Sequence, residues 1–118
     1  MADHRGSRAD RVRDQIRAEV ADILLRRVKD PRIGFATVTH VALTDDLRHA
    51  RVFVSVMGET TGKDAALKGI SSASGFIRGE LGRRLKLRYV PDLVFILDET
   101  AEGADRVMKI LSDLEKDA

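Results

Sequence analysis

From Leu67 to Leu85 apolar residues return once per helical turn, at Leu67, Ile70, Ala73, Ile77, Leu81 and Leu85, but Ala73-Ser74-Gly75 interrupts the run and Gly79 and Gly82 dilute it. Glycine in a helix interior costs about 1 kcal/mol relative to alanine, so these three glycines need a packing or functional reason. The spacing predicts two half-helices sharing one buried stripe. Tyr89-Val90-Pro91 ends the second half. Leu93 to Leu97 is then apolar throughout, as in a strand buried on both faces. The same region carries Arg78, Arg83, Arg84, Lys86 and Arg88 against a single acid, Glu80. A helix broken at small residues lets a polyanion reach main-chain N–H groups at the positive end of the second half-helix, and the arginines beyond it supply charge. The pattern points to a phosphate backbone.

The rest of the chain supplies the partners for this broken helix. Ser7 and Asp10 make a capping box, and Val12, Ile16, Val20, Ile23 and Leu24 recur on one helical face until Asp30-Pro31 stops it. Arg17 lies at the edge of that stripe. From Ile33 to Thr44 the alternation predicts a strand with Phe35, Thr37, Thr39, Val41 and Leu43 on one side and Ala36, Val38, His40 and Ala42 on the other. Asp45-Asp46 gives a turn into Ala50, Val52, Val54 and Val56, so the two strands form a hairpin. Ala104, Val107, Met108, Leu111 and Leu114 form a closing helix. The order is helix, strand, strand, broken helix, strand, helix, with Phe35, Phe53 and Phe95 expected in the core.

At 118 residues the chain suits one domain, expected over 1–118 with a flexible tail over about 1–6 and a short tail at about 116–118. It has no cysteine, which excludes disulfides and thiolate metal sites and agrees with a reducing cytoplasmic home. No apolar run approaches a membrane span, and the first ten residues are too polar for a signal peptide. The net charge of +2 says little, but its distribution says more. Nine basic residues against six acids up to Gly34, and five against one from Phe76 to Val90, give way to three against eight from Pro91 onward. Such asymmetry orients a protein on a polyanion, since the acids oppose docking in the wrong pose.

Four clusters carry a family resemblance that covers nearly the whole chain. They are Arg8 to Arg17, Asp30-Pro31-Arg32, Thr44-Asp45-Asp46-Leu47 to Ala50, and Ala73-Ser74-Gly75-Phe76-Ile77-Arg78 running on to Leu87-Arg88-Tyr89-Val90-Pro91-Asp92-Leu93. On these the chain resembles the ribosome-binding factor A family, bacterial ribosome-maturation and cold-shock factors. The resemblance implies an α+β fold like a type II KH domain, with helices on one face of a three-stranded mixed sheet. An Ala-x-Gly kink, here Ala73-Ser74-Gly75, replaces the usual Gly-x-x-Gly loop. It also implies binding to the free small (30S) ribosomal subunit near its decoding region, on 16S rRNA, during late maturation and rRNA processing, with release before translation and no bond chemistry. The expected RNA-binding residues are Arg5, Arg8, Arg11 and Arg13 at the first helix, Ser74 and Gly75 at the kink, and Arg78, Arg83, Arg84, Lys86 and Arg88 beyond it. Lys29, Arg32 and Arg51 are lesser candidates. The expected form is a cytoplasmic monomer with no cofactor, metal, membrane or small-molecule partner.

Other motifs fail on chemical detail. Gly79-Glu80-Leu81-Gly82 matches G-x-x-G literally, but lies one turn too late and carries an acid where phosphate should approach. Gly58 to Lys63 has three residues between its glycines instead of a P-loop's four, and Asp64 follows where Ser or Thr should hold magnesium. His4, His40 and His49 lack metal-site spacing. Asp45-Asp46 and Asp98-Glu99 sit at strand ends, where Asp caps turns, and Ser71, Ser72 and Ser74 have no nearby base. Catalysis therefore has no support in the residues. With four Phe and one Tyr, base stacking is weakly provisioned, and Tyr89 and Phe76 are its best candidates. The rival reading is a protein-protein adaptor using the broken helix as a docking groove.

Overall fold

The computed structural model describes residues 8–57 and 60–117 and runs α1 (Arg8–Arg26), β1 (Ala36–Leu43), β2 (His49–Val56), α2 (Thr60–Ser72), α3 (Ser74–Leu85), β3 (Asp92–Leu97) and α4 (Ala101–Asp117). The sheet order is β1-β2-β3, with β1 antiparallel and β3 parallel to β2. This is the α+β, KH-like arrangement with a mixed sheet. Ser7 of the expected capping box, Arg5, the expected tail at 1–6 and the Gly58-Glu59 turn lie outside the described residues. So do the side chains of Ala104 and Val107.

The core forms where three helices meet one face of the sheet. Ile16, Val20 and Ile23 of α1, Ala66 and Ile70 of α2, and Ile77 and Leu81 of α3 close on Val38, Val41, Val52 and Val54, none of them more than 2% exposed. Each branched side chain buried in this way contributes about 1.5–3 kcal/mol from removal of apolar surface from water. The stripe expected from Leu67 to Leu85 is thus shared across the α2–α3 break. α4 packs along β1 and β2, and its Ile110 lies beside Ala21 and Leu25 of α1 and Ala36 and Thr37 of β1.

Two strand expectations change. In β1 the alternation slips, because a bulge between Val38 and His40 takes Thr39 out of the ladder. One extra residue inverts the phase of everything after it. Ala36, Val38, Val41 and Leu43 therefore share the core face, and Thr37, His40 and Ala42 share the other, where Thr37 is still buried. In β3, Phe95 is buried and Leu93 and Leu97 pack on the core, but Val94 is 56% exposed. β3 is an edge strand covered on one side only. Phe53 correspondingly leaves the core: it is half-buried on the outer face, with its ring 5.5 Å from that of His40.

The bulge is used. The Thr39 hydroxyl donates to Asp98 Oδ2 at 2.6 Å, and the Asp98 N–H donates to the Val54 carbonyl at 2.7 Å, so the chain leaving β3 is tied back across β2 to β1. The Thr39 hydroxyl bond holds the Asp98 carboxyl below its ordinary value of 3.8. A carboxylate depressed in the fold stabilises it above the unfolded pKa and loses that contribution as pH falls through the folded one. The melting temperature of the wild type should therefore fall more steeply below about pH 4 than that of Thr39→Val, with the two curves converging in strong acid. Parallel curves across that range would remove the bond from the stability of the fold.

Two of the α3 glycines differ in their surroundings. A Cβ on Gly82 would sit 2.8 Å from Val90 Cγ2, on a short, stiff side chain, whereas on Gly79 the nearest atom is Arg83 Nη1 at 3.7 Å. Gly79→Ala should raise stability in denaturant melts by up to about 1 kcal/mol through helix propensity. Gly82→Ala should lose that gain to overpacking, which costs about 1–3 kcal/mol. Equal stabilisation by both would show that Val90 yields.

Candidate nucleic-acid interface

α3 is positioned by two arginines, one near its middle and one near its C-terminus. The Arg78 guanidinium donates to the Val90 carbonyl at 2.8 Å and the Pro91 carbonyl at 3.2 Å, fastening α3 to the segment that enters β3. Arg84, with a side chain 25% exposed, reaches Asp22 at 2.7 Å and Glu19 at 3.1 Å on α1, and Glu80 at 3.5 Å on its own helix. Hydrogen bonding to Arg84 holds the Asp22 carboxyl below its ordinary value, and the bond from Arg83 does the same to Glu80. Glu80 also takes Arg83 at 2.7 Å and Arg27 at 3.8 Å. The acid that spoils the literal G-x-x-G is the hub of this network, which clamps α3 to α1.

At one end of the α1–α3 layer lies the helix break. α2 ends at Ser72 and α3 begins at Ser74, with Ala73 at the N-cap making no side-chain cap bond. Gly75 is exposed, and a Cβ there would meet nothing within 4 Å, so the first turn of α3 opens to solvent. Arg27, Val28, Lys29, Asp30, Ser72 and Phe76 line a groove of about 310 Å³ beside it. Phe76 is 43% exposed. Arg32 is held back from this groove's charge, since Asp30 takes its Nη2 at 2.6 Å and its backbone N–H at 2.9 Å.

At the other end the first turns of α1, the β1–β2 hairpin and the segment before β3 enclose a cavity of about 460 Å³ lined by Arg8, Val12, Asp46, Leu47, Arg48, Leu87, Arg88, Tyr89 and Pro91. Arg48 stands 5.3 Å above the Tyr89 ring, a cation–π contact. The topology forces this meeting: β3 starts opposite the start of β2, with Asp92 beside His49, so whatever precedes β3 abuts the hairpin turn.

The expected site residues therefore divide. Arg8 and Arg88 converge in the cavity, with Lys86 one residue before its Leu87 wall. Ser74 and Gly75 lie at the break, at the opposite end of α3, about 18 Å away by that helix's 12-residue length. Arg78 and Arg84 act as braces between elements, and Arg83 pairs with Glu80 while its side chain stays 66% exposed. Arg13 pairs with Asp10 at 2.6 Å and lines a groove with Arg17, Thr39 and His40. Arg11 is exposed on α1, and Arg5 is outside the described residues. Sequence reasoning missed Arg48 and Arg27. The hairpin register could have found Arg48, because it sits one residue before the β2 start that β3 must match. Among the described residues, no group of three or more His, Asp and Glu is placed to hold a metal ion, and no helix is long and apolar enough to cross a membrane.

Comparison with known proteins shows which family the chain falls in. The family model described as ribosome-binding factor A matches residues 8–111. The ribosome-binding factor A of Natranaerobius thermophilus is 47% identical over 109 residues, 92% of this chain and 83% of that one. That of Syntrophus aciditrophicus is 49% identical over 110 residues, covering 93% and 89%. Among solved structures, the crystal structure of ribosome-binding factor A from Thermus thermophilus superposes with a TM-score of 0.64 at 28% identity, covering 75% of this chain and 93% of that one. A homology model of the Thermus thermophilus factor, fitted into a cryo-EM map of a 30S complex, gives 0.63 at 29% identity, covering 73% and 90%. By its match over residues 8–111 and its two relatives at nearly half identity, the chain belongs to the ribosome-binding factor A family.

Proposed function

We propose that this protein binds the free small ribosomal subunit through 16S rRNA during late assembly and rRNA processing, as one cytoplasmic, monomeric domain over residues 1–118 that performs no bond chemistry. The observation that carries the reading is the open first turn of α3. An uncapped helix start, a Gly75 with nothing above it, and the flanking Arg27, Lys29 and Phe76 make a surface where a phosphate can reach backbone N–H groups. The 30S complex of the Thermus thermophilus relative supports the same partner. Arg8, Arg11, Lys86 and Arg88 supply a second contact region at the far end of α1. Arg83 and Arg13 add charge from positions they share with acids, and Arg5 extends the first-helix set. Arg78 and Arg84 serve the interface through the placement of α3, since their guanidinium groups are engaged within the fold.

This division can be read in salt dependence. Each phosphate contact steepens the dependence of log affinity on log salt by roughly 0.7 to 0.9. Arg8→Ala combined with Arg88→Ala should flatten the slope for co-sedimentation with isolated small subunits by about 1.4 to 1.8 while the melting temperature stays near wild type. Arg84→Ala should lower the melting temperature by some degrees and leave the slope unchanged. The reverse assignment of the two effects would refute it. Gly75→Val, with room for its side chain, should keep the fold and weaken subunit binding, and native affinity would show that the break serves packing alone. Salt-insensitive capture of a protein without RNA protection would instead favour the adaptor.

A further inference from the structure

The cavity at the hairpin end is larger and chemically more mixed than a phosphate contact requires. Its lining mixes apolar groups, Val12, Leu47, Leu87, Pro91 and the half-exposed ring of Tyr89, with the cations Arg8, Arg48 and Arg88. A phosphate needs the cations but not the apolar lining. An aliphatic peptide side chain fits the apolar lining but leaves three guanidinium groups without an anion. A nucleotide uses both, with a planar apolar base and an anion joined at a fixed distance.

Three details sharpen the match. Arg48 lying over the Tyr89 ring at 5.3 Å shows that this face accepts a flat π-system or cation as its neighbour. Asp46 also lines the cavity, and both of its hydrogen bonds, from the Thr44 hydroxyl at 2.7 Å and the Arg48 N–H at 3.1 Å, fall on Oδ1. Oδ2 is left as an acceptor for the N–H donors of a base edge, and the same carboxylate repels phosphate toward the arginines. Both turns that deliver the chain to this cavity are tight. Among the described residues, the two non-glycine positions with positive φ are Leu47 at 61°, in the hairpin turn and in the lining, and Lys86 at 52°, the C-cap of α3 beside Leu87.

We propose that this cavity captures one unpaired nucleotide of the small-subunit rRNA, with its base stacked on Tyr89 and its phosphate held among Arg8, Arg48 and Arg88. The proposal rests on the small-subunit reading above and adds to it a preference for single-stranded over paired RNA, because a base reaches the ring only when it is splayed out of a stack.

The chain contains its own reporter, since Tyr89 is the single tyrosine and there is no tryptophan. Tyrosine emission of the full chain should be quenched by an unstructured single-stranded RNA pentamer, and the abasic pentamer with the same phosphates should neither quench nor bind as tightly. In co-sedimentation with isolated small subunits, Tyr89→Phe should keep wild-type affinity and Tyr89→Leu should lose about tenfold, the scale of one lost stack, with an unchanged salt slope. Circular dichroism establishes that both variants fold, and the abasic comparison tests the idea on the wild type alone. Equal binding of the abasic RNA reduces the cavity to a phosphate cradle and overturns the proposal. Tighter binding of a free nucleoside monophosphate than of the pentamer overturns its RNA source. A Tyr89→Leu protein with native subunit affinity overturns it as well. In each of these outcomes the wild type still sediments with the subunit. Loss of that co-sedimentation would instead remove the small-subunit reading itself.

Discussion

The parallel pairing of β2 with β3 governs the rest of this molecule. Parallel neighbours cannot be joined by a tight turn, so the chain must travel the length of the sheet between Val56 and Asp92, and it does so as two helices packed on the face that holds Val52 and Val54. Two points on that crossover become candidate contact regions. Midway, at Ala73, the helical path is interrupted between α2 and α3. At its end it must return to the start of β2, which brings Leu87 to Pro91 against the hairpin turn.

Charge follows the same division. Nine positions over the first helix and the α3 region look alike as a basic array, but the fold gives the described ones different work. Arg78 stands on main-chain carbonyls, and Arg84 stands among three carboxylates with a quarter of its side chain exposed. A guanidinium between three acids is neutralised where it sits and projects little field outward, whereas Arg8, Arg48 and Arg88 converge on an open cavity. A short run of cations therefore contains both the braces that hold α3 in place and the groups left open at the surface.

The two candidate contact regions stand at opposite ends of α3, which makes that helix a spacer. The 12-residue rod, clamped to α1 by Arg84, sets the distance between its own open start and the Tyr89 cavity. Such an arrangement suits recognition of a folded RNA by its contour, since two patches held at fixed separation select a surface and not a base sequence. Neither patch needs to read base edges extensively for the pair to be selective.

Much was determined by residue order alone. Apolar spacing located every helix and strand, the small residues at Ala73 to Gly75 marked the break, and the four clusters placed the chain in its family, because periodicity and turn chemistry act over a few neighbouring residues. What the order could not reveal lies in contacts between distant segments. The β1 phase was lost to one bulged residue, Thr39, whose partner Asp98 is 59 positions away. The solvent exposure of Val94 depended on β3 being covered on one face only. The separation of bracing from surface arginines depended on which carboxylates folding brought near, and the Arg48–Tyr89 pair on strand register. Local patterning chose the elements; only their packing decided which side chains remained free to meet another molecule.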